Sequence, residues 1–509
     1  PFCSMGMTKL WIAITFASLA NAIDDFLPNW MRNVNSFIAN QSFLDLTLPG
    51  THDTMTYDLS ETIADGGIDD EDDLSEVLNK FGNVPGIGGY IRQQAQAQGL
   101  TVLQQLDAGI RFLDFRIMYT GGSWRSLHCV QSNGVVTDYL RQIRAWMDAH
   151  PSEVIALWFS KHGSECKTGN DQYPGVSVDT KQALFKEIVQ IFNGLLLDSA
   201  QSDIATTEFA SLVKRNHRVV LFASDFEEFT GGVTTLAIDG CKVDNHGGSS
   251  GWGSLSLSND LAQWATFADR NKEDKAQGKF HLLSASNSPP SSQMSDALKI
   301  KFFPGGTSNI GGCAKSFGIP GFESWCPERL IDAAQTLNYY KQQTIEKAYQ
   351  QGLEFPNAIY IGGVAPGGLI RTGLQPVSHN DSDIVCDIYK WSSCSTKKPT
   401  CDIGWTANGY NAHFNVYDYT GFKHTLCGLA WQNHYKCCRD EDGIHALDGY
   451  AYADTLIAHN VRKACKANTS LECNQIMSFL EDRRAQHPMK VWDDVLTGRL
   501  KVHPELARE

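Results

Sequence analysis

The sequence predicts an α/β protein built around a parallel β-sheet. Over about 320 residues, from position 43 to 364, short apolar runs alternate with longer amphipathic stretches, and repeated strand-then-helix units of this kind form parallel sheets. The composition agrees, because 42% of the 509 residues are apolar, enough for a large core. A doubly wound sheet and a (β/α)8 barrel both fit this pattern, although no G-x-G-x-x-G sequence follows the first strand.

The predicted elements follow from the period of the apolar residues. The helix at 137–149 is the clearest, since its apolar side chains recur at three-to-four spacing. The runs rich in Val, Ile, Leu and Phe that predict strands are 43–48, 110–118, 126–130, 154–160, 218–223, 280–284 and 358–361. The other predicted helices are 181–197, 261–270 and 327–350.

The amino-terminal residues resemble a secretory leader. Lys9 precedes the apolar run 10–20, and an Ala-x-Ala ending closes at Ala22, so residues 1–22 are predicted to be a signal peptide. The run is too short to span a bilayer, and no later stretch is typical of a transmembrane helix. We therefore expect a secreted glycoprotein, with Asn-x-Ser/Thr sequons at positions 40, 380 and 468.

The cysteines divide the rest of the chain into two predicted domains. Residues 23–377 form the α/β domain, with an acidic insertion near 60–95 and a Gly- and Ser-rich surface loop near 231–253. Eight cysteines crowd into residues 378–509, which predicts a disulfide-stapled module, with zinc ligation as the alternative. Upstream, Cys129 and Cys166 are a possible pair, as are Cys313 and Cys326, and Cys241 is then left over.

The charge limits the partners. Lys and Arg number 43 against 57 Asp and Glu, a formal net charge of −14. This argues against broad nucleic-acid binding, which needs a basic surface, and against strong attraction to anionic membranes.

Charged and imidazole side chains occur at the ends of several predicted strands. His52 and Asp53 follow the first, His128 ends the third, and Lys161 follows the fourth. Alternation along 110–118 places Asp114 and Arg116 on the same side as Phe112. Because the carboxyl ends of parallel strands meet at one edge, these side chains are expected to lie together. Each alone has a structural explanation, such as a satisfied buried histidine or an Asp114–Arg116 ion pair.

Four motifs in a fixed order carry more information than any one of them. They are L-P-G-T-H-D-T at 48–54, G-I-R-F-L-D-F-R at 109–116, L-H at 127–128 and H-P-S-E-V-I-A-L at 150–157. In this order they resemble the catalytic domain of phosphatidylinositol-specific phospholipase C. The resemblance is specific over about 45–161 and looser to 364, where F-P-N-A-I-Y-I-G-G is similar to the family's final strand. It implies a distorted TIM (β/α)8 barrel, and it does not extend to the cysteine-rich module.

The resemblance implies a phosphodiesterase acting on phosphatidylinositol or a glycosyl-phosphatidylinositol at a membrane surface. The inositol 2-hydroxyl attacks the phosphorus, giving diacylglycerol and a cyclic inositol phosphate. This chemistry needs a base, an acid and positive charge on the phosphoryl oxygens. By resemblance His52 is the base, His128 the acid and Arg116 the phosphate contact. Asp53 holds a catalytic imidazole, with that of His128 the first choice, and Lys161 and Asp114 border the substrate.

Arg116 bears on the metal. Calcium-dependent members of the family carry a carboxylate where Arg116 stands, and a guanidinium supplies positive charge while repelling a cation. The position therefore resembles the bacterial, metal-independent branch. No cofactor is expected, and calcium, with Asp114 as a remnant ligand, is the alternative.

The chain departs from the bacterial type in its final strand, where an Asp orients the base. Here residues 361–364 read I-G-G-V, and Asp225, after the strand predicted at 218–223, is the candidate replacement. The missing carboxylate keeps open a catalytically weakened barrel that binds lipid or glycan. A glycerophosphodiester or sphingomyelinase D-like phosphodiesterase, which uses a magnesium site of paired carboxylates, is the other alternative.

Overall fold

A computed structural model describes most of the α/β region and parts of the carboxyl-terminal region. The described residues are 26–63, 87–128, 130–160, 173, 175–232, 235–247, 264, 266, 270–285, 344–364, 389–391, 405–412, 416–417, 423–424, 434–439, 449–466 and 470–486. The predicted leader, residues 64–86 of the acidic insertion, and Lys161 lie outside them, as do Cys129, Cys166, Cys313 and Cys326.

Within the described residues, eight parallel strands form a barrel. The first strand, β1 (Leu48–Thr51), pairs in parallel with both β3 (Phe112–Thr120) and β11 (Ala358–Ile361). The first and last barrel strands of the chain are therefore neighbours. Parallel pairing continues through β6, β7 and β8 on one side and through β10 and β9 on the other, and the described parts of β8 and β9 leave one open seam. The strands are β1 (Leu48–Thr51), β2 (Leu59–Ile63), β3 (Phe112–Thr120), β4 (Ser123–His128), β5 (Val130–Val135), β6 (Ile155–Ser160), β7 (Val219–Ala223), β8 (Ile238–Asp239), β9 (Val243–Gly247), β10 (Phe280–Ser284) and β11 (Ala358–Ile361). The predicted distorted (β/α)8 barrel is confirmed.

The first strand lies later in the chain than predicted. Phe43–Asp45 is a 3-10 helix rather than a strand, because Ser42 and Asp45 cap it reciprocally. The Pro49-Gly50 pair, which follows the strand predicted at 43–48, lies inside β1. Gly50 is needed there because a Cβ atom would stand 2.9 Å from the carbonyl oxygen of Ile359 on β11.

The Gly- and Ser-rich stretch 231–253 is not simply a surface loop. It contains β8 and β9, which pair in parallel with β7 and β10. Both strands lack an apolar run, since β8 has two residues and β9 reads V-D-N-H-G, so their sequences resemble a loop. A short 3-10 helix, Gly240–Lys242, joins them, and Cys241 within it is disulfide-bonded rather than left over.

An antiparallel extension grows from one barrel strand. Beyond the barrel β3 pairs with β4, β4 with β5, and β5 with β2. This extension brings the end of β4 back toward the carboxyl ends of the barrel strands.

Helices surround the barrel as the apolar periodicity predicts. In the clearest of them, α5, the predicted apolar positions Tyr139, Leu140, Ile143, Trp146 and Met147 are all buried. The sixth helix ends at Ile191, earlier than predicted. The helices are α1 (Trp30–Asn33), α2 (Asn35–Ile38), α3 (Ile87–Ala95), α4 (Val102–Asp107), α5 (Val136–Ala149), α6 (Val178–Ile191), α7 (Phe209–Lys214), α8 (Phe226–Thr230), α9 (Gly449–Cys465) and α10 (Leu471–Gln486), with further helical residues at 270–276 and 344–350.

The helix α9 belongs to the barrel wall, although the predicted boundary at 378 assigns it to the cysteine-rich module. Tyr452 contacts the backbone of both first and last strands, accepting from Gly50 N at 3.1 Å and donating to Ile359 O. Asn460 binds both backbone groups of Thr47, each at 2.8 Å. The helix thus runs antiparallel to β1 and takes the place of the helix that follows the eighth strand of a (β/α)8 barrel.

Between β11 and α9, the described parts of the chain are short antiparallel strands. They are β12 (Tyr389–Trp391), β13 (Trp405–Ala412), β14 (Val416–Tyr417), β15 (Lys423–His424) and β16 (His434–Arg439), and β16 pairs with both β12 and β13. A disulfide joins Cys465 at the end of α9 to Cys473 in α10. Among the described helices, none is both long and apolar enough to span a membrane.

Candidate active site

The first strand ends in His52 and Asp53. The backbone N–H of His52 donates to Ile361 O at 2.9 Å, so the last barrel strand, β11, holds the residue that follows the first strand. Asp53 follows with a φ of 50°, a left-handed conformation that Asp tolerates better than most residues. Both are buried, with 6% and 1% of their surface exposed. The turn therefore presents an imidazole and a carboxylate at the carboxyl end of the barrel.

The second strand of the barrel, β3, supplies a carboxylate and a guanidinium. As the alternation predicts, Asp114 and Arg116 lie on one side of β3 and meet the His52 turn. Asp114 Oδ2 lies 3.1 Å from His52 Nδ1 and 3.4 Å from Arg116 Nε, while Asp53 Oδ1 lies 2.7 Å from Arg116 Nε. Burial by itself lowers the pKa of Arg116, but Asp53, Asp114 and a hydrogen bond with Tyr360 raise it overall, so the guanidinium stays charged.

His128 arrives on the antiparallel extension. Its Nδ1 lies 2.5 Å from the carbonyl oxygen of Ala95, and because a carbonyl only accepts, this nitrogen carries the hydrogen. Nε2 remains as the nitrogen for chemistry. Burial lowers the pKa of His128, and the nearby Arg116 adds to this against the opposing charge of Asp53.

One carboxylate, that of Asp53, contacts three side chains of the site. Asp53 Oδ2 lies 3.3 Å from His52 Nε2 and 3.6 Å from His128 Nδ1, in addition to the contact of its Oδ1 with Arg116. Asp53 was expected to hold mainly the imidazole of His128. Its Oδ2 contacts both imidazoles, and the distance to His52 is the shorter of the two.

Asp225, the candidate to orient His52, binds a lysine. Its carboxylate lies 2.9 Å from Nζ of the buried Lys181, which also contacts Glu228 at 2.7 Å. The carboxylate beside Nδ1 of His52 is that of Asp114, so a residue expected to border the substrate takes the orienting position.

The sequence reasoning missed three groups at the site. The carbonyl of Ala95 has no side-chain signature. The buried Gln98 donates from Nε2 to His52 O at 2.6 Å and to Ile361 O at 3.0 Å, which ties β1 to β11. It is one of four Gln residues between 93 and 98, and the sequence does not single it out. Tyr360 stacks on His52, with ring centroids 4.9 Å apart. In the sequence, only its position within the motif F-P-N-A-I-Y-I-G-G indicates that Tyr360 lies near the site.

Among the described residues, one cluster has the composition of a metal site. His52, Asp53 and Asp114 each offer a ligand atom, all within 4.8 Å of one another. However, Nε of Arg116 lies within 3.4 Å of both carboxylates. A fixed positive charge therefore stands where a cation would bind.

Part of the barrel is similar to a known protein family. Residues 83–168 match the family model for the PI-PLC X domain, described as PI-PLC X 1, and this stretch includes Asp114, Arg116 and His128. His52 and Asp53 precede the matched residues.

Curated PI-PLC X proteins and bacterial structures are among the similar proteins. The chain is 30% identical over 208 residues to human PI-PLC X domain-containing protein 1, covering 38% of this chain and 60% of that protein. For the mouse protein of that name the identity is 32% over 179 residues, covering 34% and 47%. The match thus spans less than two thirds of either relative.

Two solved bacterial phospholipases are among the structural matches, at low identity. Phosphatidylinositol-specific phospholipase C from Listeria monocytogenes is 14% identical, with 66% of this chain and 93% of that chain covered and a TM-score of 0.36. The S. aureus enzyme is 13% identical, with 68% and 95% covered and a TM-score of 0.40.

Proposed function

We propose that this chain is a secreted phosphodiesterase that cleaves phosphatidylinositol or a glycosyl-phosphatidylinositol. The observation that carries the proposal is the shared contact of Asp53 with His52, Arg116 and His128. Two imidazoles and a guanidinium are thereby gathered at the carboxyl ends of the barrel strands. That set supplies the base, the acid and the phosphate charge that cleavage of a phosphodiester needs.

In the proposed reaction the substrate's own hydroxyl is the nucleophile. His52 takes the proton of the inositol 2-hydroxyl, the new O–P bond forms, and the P–O bond to diacylglycerol breaks. The departing alkoxide needs a proton, and His128 delivers it from Nε2. The other ring nitrogen, Nδ1, is hydrogen-bonded to the carbonyl oxygen of Ala95. Arg116 binds the phosphoryl oxygens, and Asp114 holds the ring of His52. The first product is a 1,2-cyclic inositol phosphate, which water hydrolyses when the two histidines exchange roles.

The proposal includes no metal. The positive charge that calcium supplies elsewhere in the family is placed on Arg116, which lies against the same carboxylates that would bind a cation. Activity is therefore expected to persist in excess chelator and not to rise with added calcium or magnesium.

Secretion is part of the proposal and has independent support. The apolar run 10–20 is typical of a leader, and the Cys465–Cys473 disulfide fits an oxidising compartment. The substrate is then a lipid of an outer membrane leaflet, approached without strong electrostatic attraction because the net charge is −14.

The test is product analysis on vesicles of phosphatidylcholine and phosphatidylinositol in excess chelator, with phosphorus NMR to detect the cyclic phosphate. We expect cyclic product from the native chain and a loss of about 10³-fold in His52→Ala and His128→Ala. His150→Gln is the matched control, because His150 precedes β6 at the opposite end of the barrel and bonds to Trp146 O at 2.7 Å. Equal rates for His52→Ala and the native chain would contradict the proposal.

A further inference from the structure

A column of nearly parallel aromatic rings stands beneath His52. The ring of Tyr360 stacks on His52 at 4.9 Å with 14° between the planes, and on Phe112 at 6.4 Å and 8°. Phe112 in turn stacks on Phe280 at 5.4 Å and 13°. The imidazole is thus the end member of a series of stacked rings.

The backbone fixes the position of Tyr360 in this stack. Tyr360 is the register partner of Gly50 on β1 and of Ser284 on β10. A Cβ atom on Gly50 would lie 3.1 Å from Cβ of Tyr360, so the glycine of the first motif leaves room for this side chain. A ring held between two strands cannot turn away from the imidazole above it.

The hydroxyl of Tyr360 is also held in place. Asn245 on β9 donates to it from Nδ2 at 3.3 Å. Burial, followed by the charge of Asp114, raises the pKa of Tyr360 to about 12, so the phenol is neutral at physiological pH. Both ends of this side chain therefore have a contact, the ring with His52 and the hydroxyl with Asn245.

We propose that Tyr360 is a positioning residue for His52: its ring, stacked on the imidazole, sets the plane of the base. The inference rests on the proposed function for its catalytic meaning. In that reaction His52 gains a proton and becomes cationic, and an aromatic face attracts a cation. The ring therefore stabilises the transition state more than the ground state, which raises kcat.

Two substitutions separate the ring from the hydroxyl. Tyr360→Phe keeps the stack and removes the hydrogen bond with Asn245, so we expect kcat and KM within about twofold of the native values. Tyr360→Leu also removes the ring, and we expect a loss of about 10-fold in kcat. A short-chain phosphatidylinositol that is monomeric in water serves as substrate, because it follows the step in which His52 is the base and avoids effects on membrane binding.

Tyr452→Phe is the matched control. Tyr452 is as buried as Tyr360 and bonds to the backbone of the same strand, but from α9 on the outside of the barrel. It should lower the melting temperature and leave kcat and KM at native values. If Tyr452→Phe lost as much kcat as Tyr360→Leu, the effect would be general destabilisation and the inference would fail.

A measurement without turnover keeps this inference distinct from the proposed function. Stacking on Tyr360 should shift the NMR signals of the His52 ring protons upfield, and Tyr360→Leu should remove that shift while Tyr360→Phe retains it. Unchanged His52 signals in a folded Tyr360→Leu variant would overturn the positioning role. An inactive native chain that shows the expected shifts would refute the proposed function alone.

Discussion

Asp114 is the residue whose role changes most between sequence and structure. It contacts Nδ1 of His52 at 3.1 Å, the orienting position for which Asp225 was the candidate from sequence. Replacing an orienting carboxylate by an amide leaves the shape but spoils the alignment and charge of the imidazole. We expect Asp114→Asn to lower kcat by about 10³-fold while the protein remains folded, measured as formation of cyclic inositol phosphate.

Asp225→Asn is the comparison for that substitution. Asp225 also follows a barrel strand, but its carboxylate is bound to Lys181. The expected result is native kcat with somewhat lower stability. A loss in Asp225→Asn as large as that in Asp114→Asn would return the orienting role to Asp225.

His128 predicts a pH dependence with a definite sign. Burial, then Arg116, lowers the pKa of His128 from its ordinary value of 6.5. A general acid works only when protonated, so its contribution is lost as pH rises through a midpoint below 6.5. We expect kcat/KM, which reports the free enzyme, to fall on the alkaline side with such a midpoint. The residual activity of His128→Gln should lack this limb, and a native midpoint above 6.5 would refute the assignment.

At the level of elements, strands that face the core on one side were predictable and short polar strands were not. The alternation in β3 correctly places Asp114 and Arg116 on the same side as Phe112, because every second side chain of a strand lies on the same face of the sheet. By contrast, β8 and β9 have no apolar pattern and exist through pairing with β7 and β10, a tertiary effect. The same holds for Ala95 and Gln98, whose roles depend on backbone contacts made only in the fold.

The amino ends of the strands carry a structural ion pair in place of a catalytic one. Arg111 is fully buried, contacts Glu153 at 2.8 Å and donates to the carbonyls of Leu27 and Pro28. Glu153→Gln leaves that guanidinium buried without its counter-charge, so we expect the free energy of unfolding to fall by about 3–5 kcal/mol. Chemical denaturation measures it.

The control for this pair is an exposed one. Arg141 contacts Glu187 at 2.6 Å on the surface, with about half of its side chain exposed, and Glu187→Gln should change stability by less than about 1 kcal/mol. Folded Glu153→Gln should keep native kcat, because the pair lies at the end of the barrel opposite the site. Equal stability losses in the two variants would mean that the buried pair has no special role.

At the scale of the whole molecule, the position of α9 changes the domain organisation. The chain leaves the barrel after β11, at the end where the site lies, and rejoins it at Gly449, where α9 begins beside the same end of β1. In topological terms the residues between are an insertion in the last strand-to-helix connection rather than a terminal module. Cysteine density marked the start of this segment but could not reveal that the chain returns to the barrel.

This organisation predicts opposite results from two deletions. Removing 378–509 also removes α9, whose Leu456, Ile457 and Val461 are fully buried. Each contributes about 1.5–3 kcal/mol, and together they approach the whole stability of a typical domain, so the truncated chain should not fold. Replacing only 378–446 by a flexible Gly-Ser linker keeps α9 and should yield a folded barrel with a cooperative thermal transition. If instead the truncation folded and the excision did not, α9 would be part of a separate module and the eighth-helix assignment would be wrong.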